Sequence, residues 1–333
     1  MNKTVEISEG QILIEHRIIP VPLSISDAAQ AFLRLNRPPR GELPQETDRN
    51  AWRRHIEEFN AAFLTYLEAK SVNIDAAVTH QQIAGVPCVR ATPKNSSVTG
   101  RVVLFLHGGA LVYLGGPAVR LWALTESQRM GCTVVAADYR MPPDHPYPAG
   151  IDDTVAVYLN LAEEFGASSI AIAGASAGAH FAAAAALKIR DLGFAGPGAI
   201  ILLTPELDLT ESGDTFKTNE DIDVVLVRGL PEANALYAAG ENLANPYLSP
   251  IFADFATGFP PTLLQSGTRD LFLSNAVRMH RALRRHGLTA QLHVWEAMPH
   301  GGFGGDSLED MEVGLECRCF LSTHLAPSPT WSS

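Results

Sequence analysis

The apolar positions of this 333-residue chain fall into two alternating patterns. Short runs rich in β-branched residues read as strands: Val78–Ile83, Val86–Ala91, Arg101–Leu106, Thr133–Ala137, Ile170–Ala173, Ala199–Leu203, Thr262–Gln265 and Gln291–Glu296. Longer stretches read as helices: Arg120–Met130, Ile151–Glu164, Ala177–Arg190, Ser274–His286 and Asp310–Thr323. From Arg101 onward the two types alternate. That rhythm predicts an α/β fold with a mainly parallel, eight-stranded sheet flanked by helices on both faces. The short turn at Gly85 predicts an antiparallel hairpin at one edge.

Two stretches break the rhythm. Residues 1–71 contain predicted helices at Asp27–Leu35 and Asp48–Lys70. In the second, Trp52, Ile56, Phe59, Phe63 and Leu67 recur at helical spacing, so one face must be buried. Residues 205–259 are acidic, carry a helix-like Pro231–Gly240, and are too long for a plain connection. Both read as parts of a helical cap over the C-terminal edge of the sheet, where open parallel sheets bind their ligands. The expected organisation is a set of N-terminal cap helices over 1–75 and a catalytic unit over 76–333, with a cap insertion at 205–259. The simpler alternative is that the N-terminal helices only pack.

Composition narrows the function classes. With 46% hydrophobic and 18% charged residues the chain has ample material for a core. A net charge of −11 and the lack of a Lys/Arg-rich run argue against a nucleic-acid partner or an anionic membrane surface. No segment approaches the ~20 apolar residues of a membrane span. Residues 1–10 lack the basic start and apolar stretch of a signal peptide. The four cysteines form no disulfide framework, so a reducing, cytoplasmic setting is expected. Cys132 lies in an apolar run and reads as core. Cys317 and Cys319 have no further ligands nearby, so no metal site is assigned.

The candidate chemistry centres on Gly174-Ala175-Ser176-Ala177-Gly178, between a predicted strand and a predicted helix. A serine in so tight a junction takes a strained backbone and points its hydroxyl out above the sheet, at the positive end of the helix. A serine hydroxyl needs a base, and the base needs a group that fixes its tautomer. His300 follows the last predicted strand and is flanked by Gly301 and Gly302, so its loop is free to turn inward. His293 sits within a strand, His280 and His286 on a helix, and His55, His145 and His324 beside no chemistry. Asp270 ends the run from Leu263 and is the expected acid, with Glu296 as the alternative. The oxyanion of a tetrahedral intermediate also needs preorganised donors, each contributing about 3 kcal/mol. Gly108 and Gly109, after the strand ending at Leu106, and Ala177, at the start of the helix, are the expected N–H donors. His107 reads as a residue that shapes the loop. Leu111, Val112 and Tyr113 are expected to approach the substrate.

Together these pieces resemble the hormone-sensitive-lipase-like esterases of the α/β-hydrolase superfamily. The resemblance rests on His107-Gly108-Gly109, the segment Asp138-Tyr139-Arg140 with the prolines up to Ala149, the elbow, Asn245-Pro246-Tyr247-Leu248-Ser249-Pro250, Asp270, and His300-Gly301-Gly302-Phe303. It covers most of the chain beyond about residue 78, in the family's order. It implies that Asp138 and Asp144 are structural, supporting the oxyanion loop and the sheet. Three departures stand out: Ala110 replaces a third glycine, Ala175 an often acidic residue, and Ala179 a second glycine after the elbow. A methyl at Ala110 is expected to narrow the acyl pocket. The run Thr268–Ser274 is similar to a branch of esterases and monoterpene lactone hydrolases.

The resulting expectation is a serine hydrolase that cleaves carboxylic ester bonds of small or medium apolar esters or lactones through an acyl enzyme. Ser176, Asp270 and His300 would be catalytic, and no metal or organic cofactor is needed. An amidase or carbamate hydrolase would use the same three residues. A non-catalytic ligand receptor of the same fold would ordinarily lose the base. The partner is a small molecule, with no nucleic acid and no membrane. An exposed edge strand near Gln291–Glu296 leaves a homodimer open.

Overall fold

A computed structural model describes residues 5–8, 11–14, 17–35, 41–71, 73–94, 96 and 100–327. A small antiparallel hairpin, β1 (Val5–Ser8) and β2 (Gln11–Ile14), comes first, followed by helices α1 (Asp27–Leu33) and α2 (Arg49–Ser71). The main sheet begins with β3 (Ala76–Ile83), β4 (Val86–Pro93) and β5 (Val102–Leu106). Then come α3 (Pro117–Met130), β6 (Thr133–Ala137), α4 (Ala149–Phe165), β7 (Ile170–Ala175), α5 (Ala177–Asp191) and β8 (Ala199–Leu203). Two short helices, α6 (Thr215–Thr218) and α7 (Pro231–Ala238), precede β9 (Thr262–Gly267). The fold closes with α8 (Leu273–Arg285), β10 (Ala290–Trp295) and α9 (Leu308–His324).

The eight strands lie in the order β10-β9-β8-β7-β5-β6-β4-β3. Every pair from β6 across to β10 is parallel. The hairpin β3–β4 joins β6 antiparallel, with Cys88 opposite Ala137, and makes one edge. The expected fold class is therefore the observed one. The β1–β2 hairpin is not among the strands predicted from the apolar pattern. Helix α3 starts at Pro117 rather than Arg120. Gly116, at φ 66°, turns the chain, and a proline in the first turn has its φ preset for the helix.

Side chains alternate across the sheet, as a period of two requires. Leu104 and Leu106 face a core built with α4, α5 and α8, containing Tyr158, Phe181 and Met279. Val103 and Phe105 face the opposite core, with Cys132, Cys317, Phe320 and part of α1. A third cluster sits beyond the end of β5. Trp52 and Leu67 of α2 meet Val112, Tyr113 and Leu114, then Leu121 of α3 and Ala233 and Leu236 of α7. The N-terminal helix and the 205–259 segment thus share one apolar cluster beside the loop that follows His107. Among the described residues no helix is long and apolar enough to cross a membrane.

Candidate active site

Ser176 stands between β7 and α5 with φ 56° and ψ −122°, a conformation an L-residue adopts only under constraint. Its surroundings supply that constraint. The Ser176 N–H donates to the Leu203 carbonyl at 2.9 Å. A Cβ on Gly178 would stand 1.9 Å from the Leu106 oxygen, and one on Gly174 would stand 2.2 Å from the Gly178 carbonyl carbon. Only glycine at both places lets α5 start this close to β5 and β7. The small Ala179 is fully buried in the same junction.

His300 reaches the serine from the loop after β10. Its Nε2 lies 2.8 Å from Ser176 Oγ and its Nδ1 3.0 Å from Asp270 Oδ1. A carboxylate only accepts, so Nδ1 carries the proton and Nε2 is left to accept from the serine hydroxyl. Asp270 is fully buried; it also accepts the Ser266 hydroxyl at 2.6 Å and the Phe272 N–H at 2.9 Å. Burial opposes the charged imidazolium, but the hydrogen bond and charge of Asp270, helped by Asp223 and Glu206, outweigh it. The His300 pKa therefore stands above its ordinary value. Glu296 is exposed, and His293 faces Glu316 at 3.6 Å, so neither competes for these roles.

Asp223 escaped the sequence reading. It is fully buried and accepts four backbone N–H groups: those of Val225 and Leu226 on Oδ1, and those of Leu271 and His300 on Oδ2. One carboxyl thereby ties the loop of Asp270 to the loop of His300. Burial pushes it up to about 6, and the backbone donors work in the other direction. Asp221, two residues earlier in the same acidic stretch, is exposed, so no local signal marks which of the two turns inward.

The loop after β5 lies against the elbow. A Cβ on Gly108 would come within 3.3 Å of Ser176 Cβ. Gly109 adopts φ 128°, and its carbonyl accepts the N–H groups of Val112 and Tyr113 at 2.9 and 2.7 Å. Among the described residues, the N–H groups of Gly108, Gly109 and Ala177 have no acceptor. His107 is buried, and burial holds its pKa down, so it is neutral. Its Nδ1–H donates to the Gly108 carbonyl at 2.7 Å, and Tyr139 O–H donates to the His107 carbonyl at 2.6 Å. Asp138 accepts the Gly116 N–H at 2.9 Å, whereas Asp144 pairs at the surface with Arg53 of α2 rather than with the loop or the sheet.

Leu111, expected beside the substrate, is fully enclosed in the main core and offers no surface. Val112 and Tyr113 join the cluster shared with α2 and α7, where the Tyr113 ring lies 4.4 Å from that of Phe59. A separate cleft of about 770 Å³ between α2, β3–β4 and the start of α3 includes none of these groups.

Residues 103–303 match a protein family described by the alpha/beta hydrolase fold. An acetyl-hydrolase of Streptomyces hygroscopicus is 33% identical over 204 residues, 60% of this chain and 68% of that protein. The matched stretch thus spans about two thirds of that curated relative. The solved esterase E25 superposes with a TM-score of 0.87 at 32% identity, covering 96% of this chain and 100% of its own. An esterase from the bacterial hormone-sensitive lipase family superposes with a TM-score of 0.77 at 28% identity, covering 91% and 100%. By fold, family match and relatives, this chain belongs to the hormone-sensitive-lipase-like esterases of the α/β-hydrolase superfamily, and it is a carboxylic ester hydrolase.

Proposed function

We propose that the chain cleaves small or medium apolar esters or lactones through an acyl enzyme on Ser176. The observation that carries this reading is the continuous relay from Ser176 Oγ through His300 to Asp270, at 2.8 and 3.0 Å. His300 Nε2 takes the hydroxyl proton as Oγ attacks the carbonyl carbon. Asp270 holds the productive tautomer and offsets the charge that appears on the imidazole. The tetrahedral oxyanion settles against the free N–H groups of Gly108, Gly109 and Ala177, the last at the positive end of α5. His300 then returns the proton to the leaving alkoxide oxygen. A water deprotonated by the same nitrogen attacks the acyl carbon; as the C–Oγ bond breaks, His300 returns that proton to Ser176 Oγ, releasing the acid and the free enzyme. In a lactone the acid and the alcohol stay in one molecule, so the same steps open a ring.

The apolar preference is supported by the cluster around Tyr113, Phe59 and Trp52 next to the oxyanion loop. In this reading α2 and the 205–259 segment form the cap that walls the acyl side. Tyr113 carries that wall, Val112, 1% exposed, backs it from within the cluster, and Leu111 sets the path of the loop beneath. The test is a panel of aryl esters of increasing chain length, lactones, carbamates and anilides, run on the parent and on Ser176→Ala and His300→Ala. Ester and lactone turnover that vanishes in both folded variants is the expected result. Faster anilide than ester turnover, or turnover that survives either change, would overturn the reading.

A further inference from the structure

Glu206 follows β8 and is 1% exposed. Its N–H donates to the Ser176 carbonyl at 3.2 Å, which fixes its backbone beside the nucleophile. Its Oε2 is enclosed and has no hydrogen-bond partner among the described residues. A buried carboxylate with neither a cation nor donors is costly, so the group keeps its proton until a positive charge faces it. The titratable groups within its electrostatic reach come from four elements. They are Glu211 on its own loop, Tyr139 after β6, Tyr237 on α7 and His300 after β10. Glu211 repels a charge on Glu206. Burial keeps both tyrosines neutral, and their hydroxyls are engaged with the His107 carbonyl and with His180 Nε2. Among these groups only His300 can become a cation, and in the reaction it does so when it takes the proton of Ser176.

We propose that Glu206 is a positioning residue for the reaction, a second carboxyl whose charge stabilises the imidazolium that forms on His300. The proposal rests on His300 being the base. No proton passes between the two groups. Glu206 loses its proton to solvent, and its anion then stabilises the imidazolium in addition to Asp270, which already holds Nδ1. Burial, reinforced by Glu211 and opposed by His300, pushes the Glu206 carboxyl up to about 8. Activity therefore has a second rise at alkaline pH, above the one produced when His300 loses its proton.

The experiment is a pH profile from about 5 to about 10 on the parent, Glu206→Gln, Glu206→Asp and His300→Ala. It is read as kcat for an aryl acetate and as the rate of Ser176 phosphonylation by an organophosphonate. The parent should show the second rise. Glu206→Gln, which mimics the protonated acid in shape, should lose it, with kcat down about tenfold at the alkaline end, the effect of one pKa unit of stabilisation. KM and Tm at neutral pH should hold. Glu206→Asp should restore a rise with a displaced midpoint. A flat parent profile, a rise that persists in Glu206→Gln, or a loss uniform across pH together with a lower Tm would overturn the proposal. Unimpaired turnover in His300→Ala would instead overturn the base assignment, so the two failures are distinct.

Discussion

The carboxyl of Asp223 accepts the backbone N–H of His300 at 3.0 Å and, through the same oxygen, that of Leu271 at 2.9 Å. His300 and Asp270, the proposed base and acid, are thus set in register by a residue from the acidic segment between β8 and β9. Asp223→Asn keeps the size but replaces an acceptor by a donor, so buried N–H groups lose their partner. A misplacement of about 1 Å at the reacting atoms costs on the order of 100-fold. Asp223→Asn should lower kcat by roughly 10- to 100-fold with little change in KM, and lower stability by about 1–3 kcal/mol. Steady-state kinetics and urea unfolding check this; parent-like kcat would contradict it.

The pKa of His300 stands above its ordinary value because Asp270 and its acidic neighbours outweigh burial. As the proposed base, His300 works only when neutral, so kcat/KM should fall as pH drops through that raised pKa, with a midpoint above 6.5. Asp270→Asn removes the carboxylate that favours the cation. It should move the midpoint down and cost about 10⁴-fold in kcat through the wrong tautomer. A midpoint unchanged in the variant would remove Asp270 from its role.

Gly178 has no room for a methyl, since the Leu106 oxygen would lie 1.9 Å away, in backbone that cannot retreat. Gly178→Ala should lose at least about 3 kcal/mol and much of its folded yield. Gly287, at φ 72° with nothing near its missing Cβ, is the control: Gly287→Ala carries backbone strain alone and should cost about 1 kcal/mol. Equal effects of the two changes on thermal unfolding would contradict this account of the elbow.

Asp208 is fully buried and accepts hydrogen bonds from Thr210, Ser212 and Arg278, the last at 2.6 Å. Burial opposes its charge, but these partners hold its pKa below the usual 3.8. A depressed carboxyl stabilises the fold above its unfolded pKa, and the contribution is lost as pH falls through the folded value. Arg278→Met should cost roughly 1–3 kcal/mol near neutrality, and less once the pH drops below the carboxylate range. Unfolding by urea at the two pH values checks this; a penalty that does not shrink in acid would contradict it.

Much of this architecture is legible in the chain because it rests on local rules. Strands such as Ile170–Ala175 are continuous apolar runs since both faces of a parallel sheet are covered, and the glycines around Ser176 report a steric need. His300 and Asp270 stood out because each lies in the short loop that follows a predicted strand. Asp223 and Glu206 could not, because their surroundings are assembled by contacts distant in sequence: the first by loops after β9 and β10, the second by the elbow. Leu111 misled for a related reason. It follows the glycine loop, yet with φ 67° its side chain turns down into the main core.

In the proposed reaction Ser176 Oγ is the nucleophile that carries the acyl group. Titration with an organophosphonate, with the labelled residue mapped by mass spectrometry, tests this role. One label per chain is expected, on Ser176, accumulating in step with the loss of aryl-ester turnover. A label on another residue, or full turnover with Ser176 fully labelled, would contradict it.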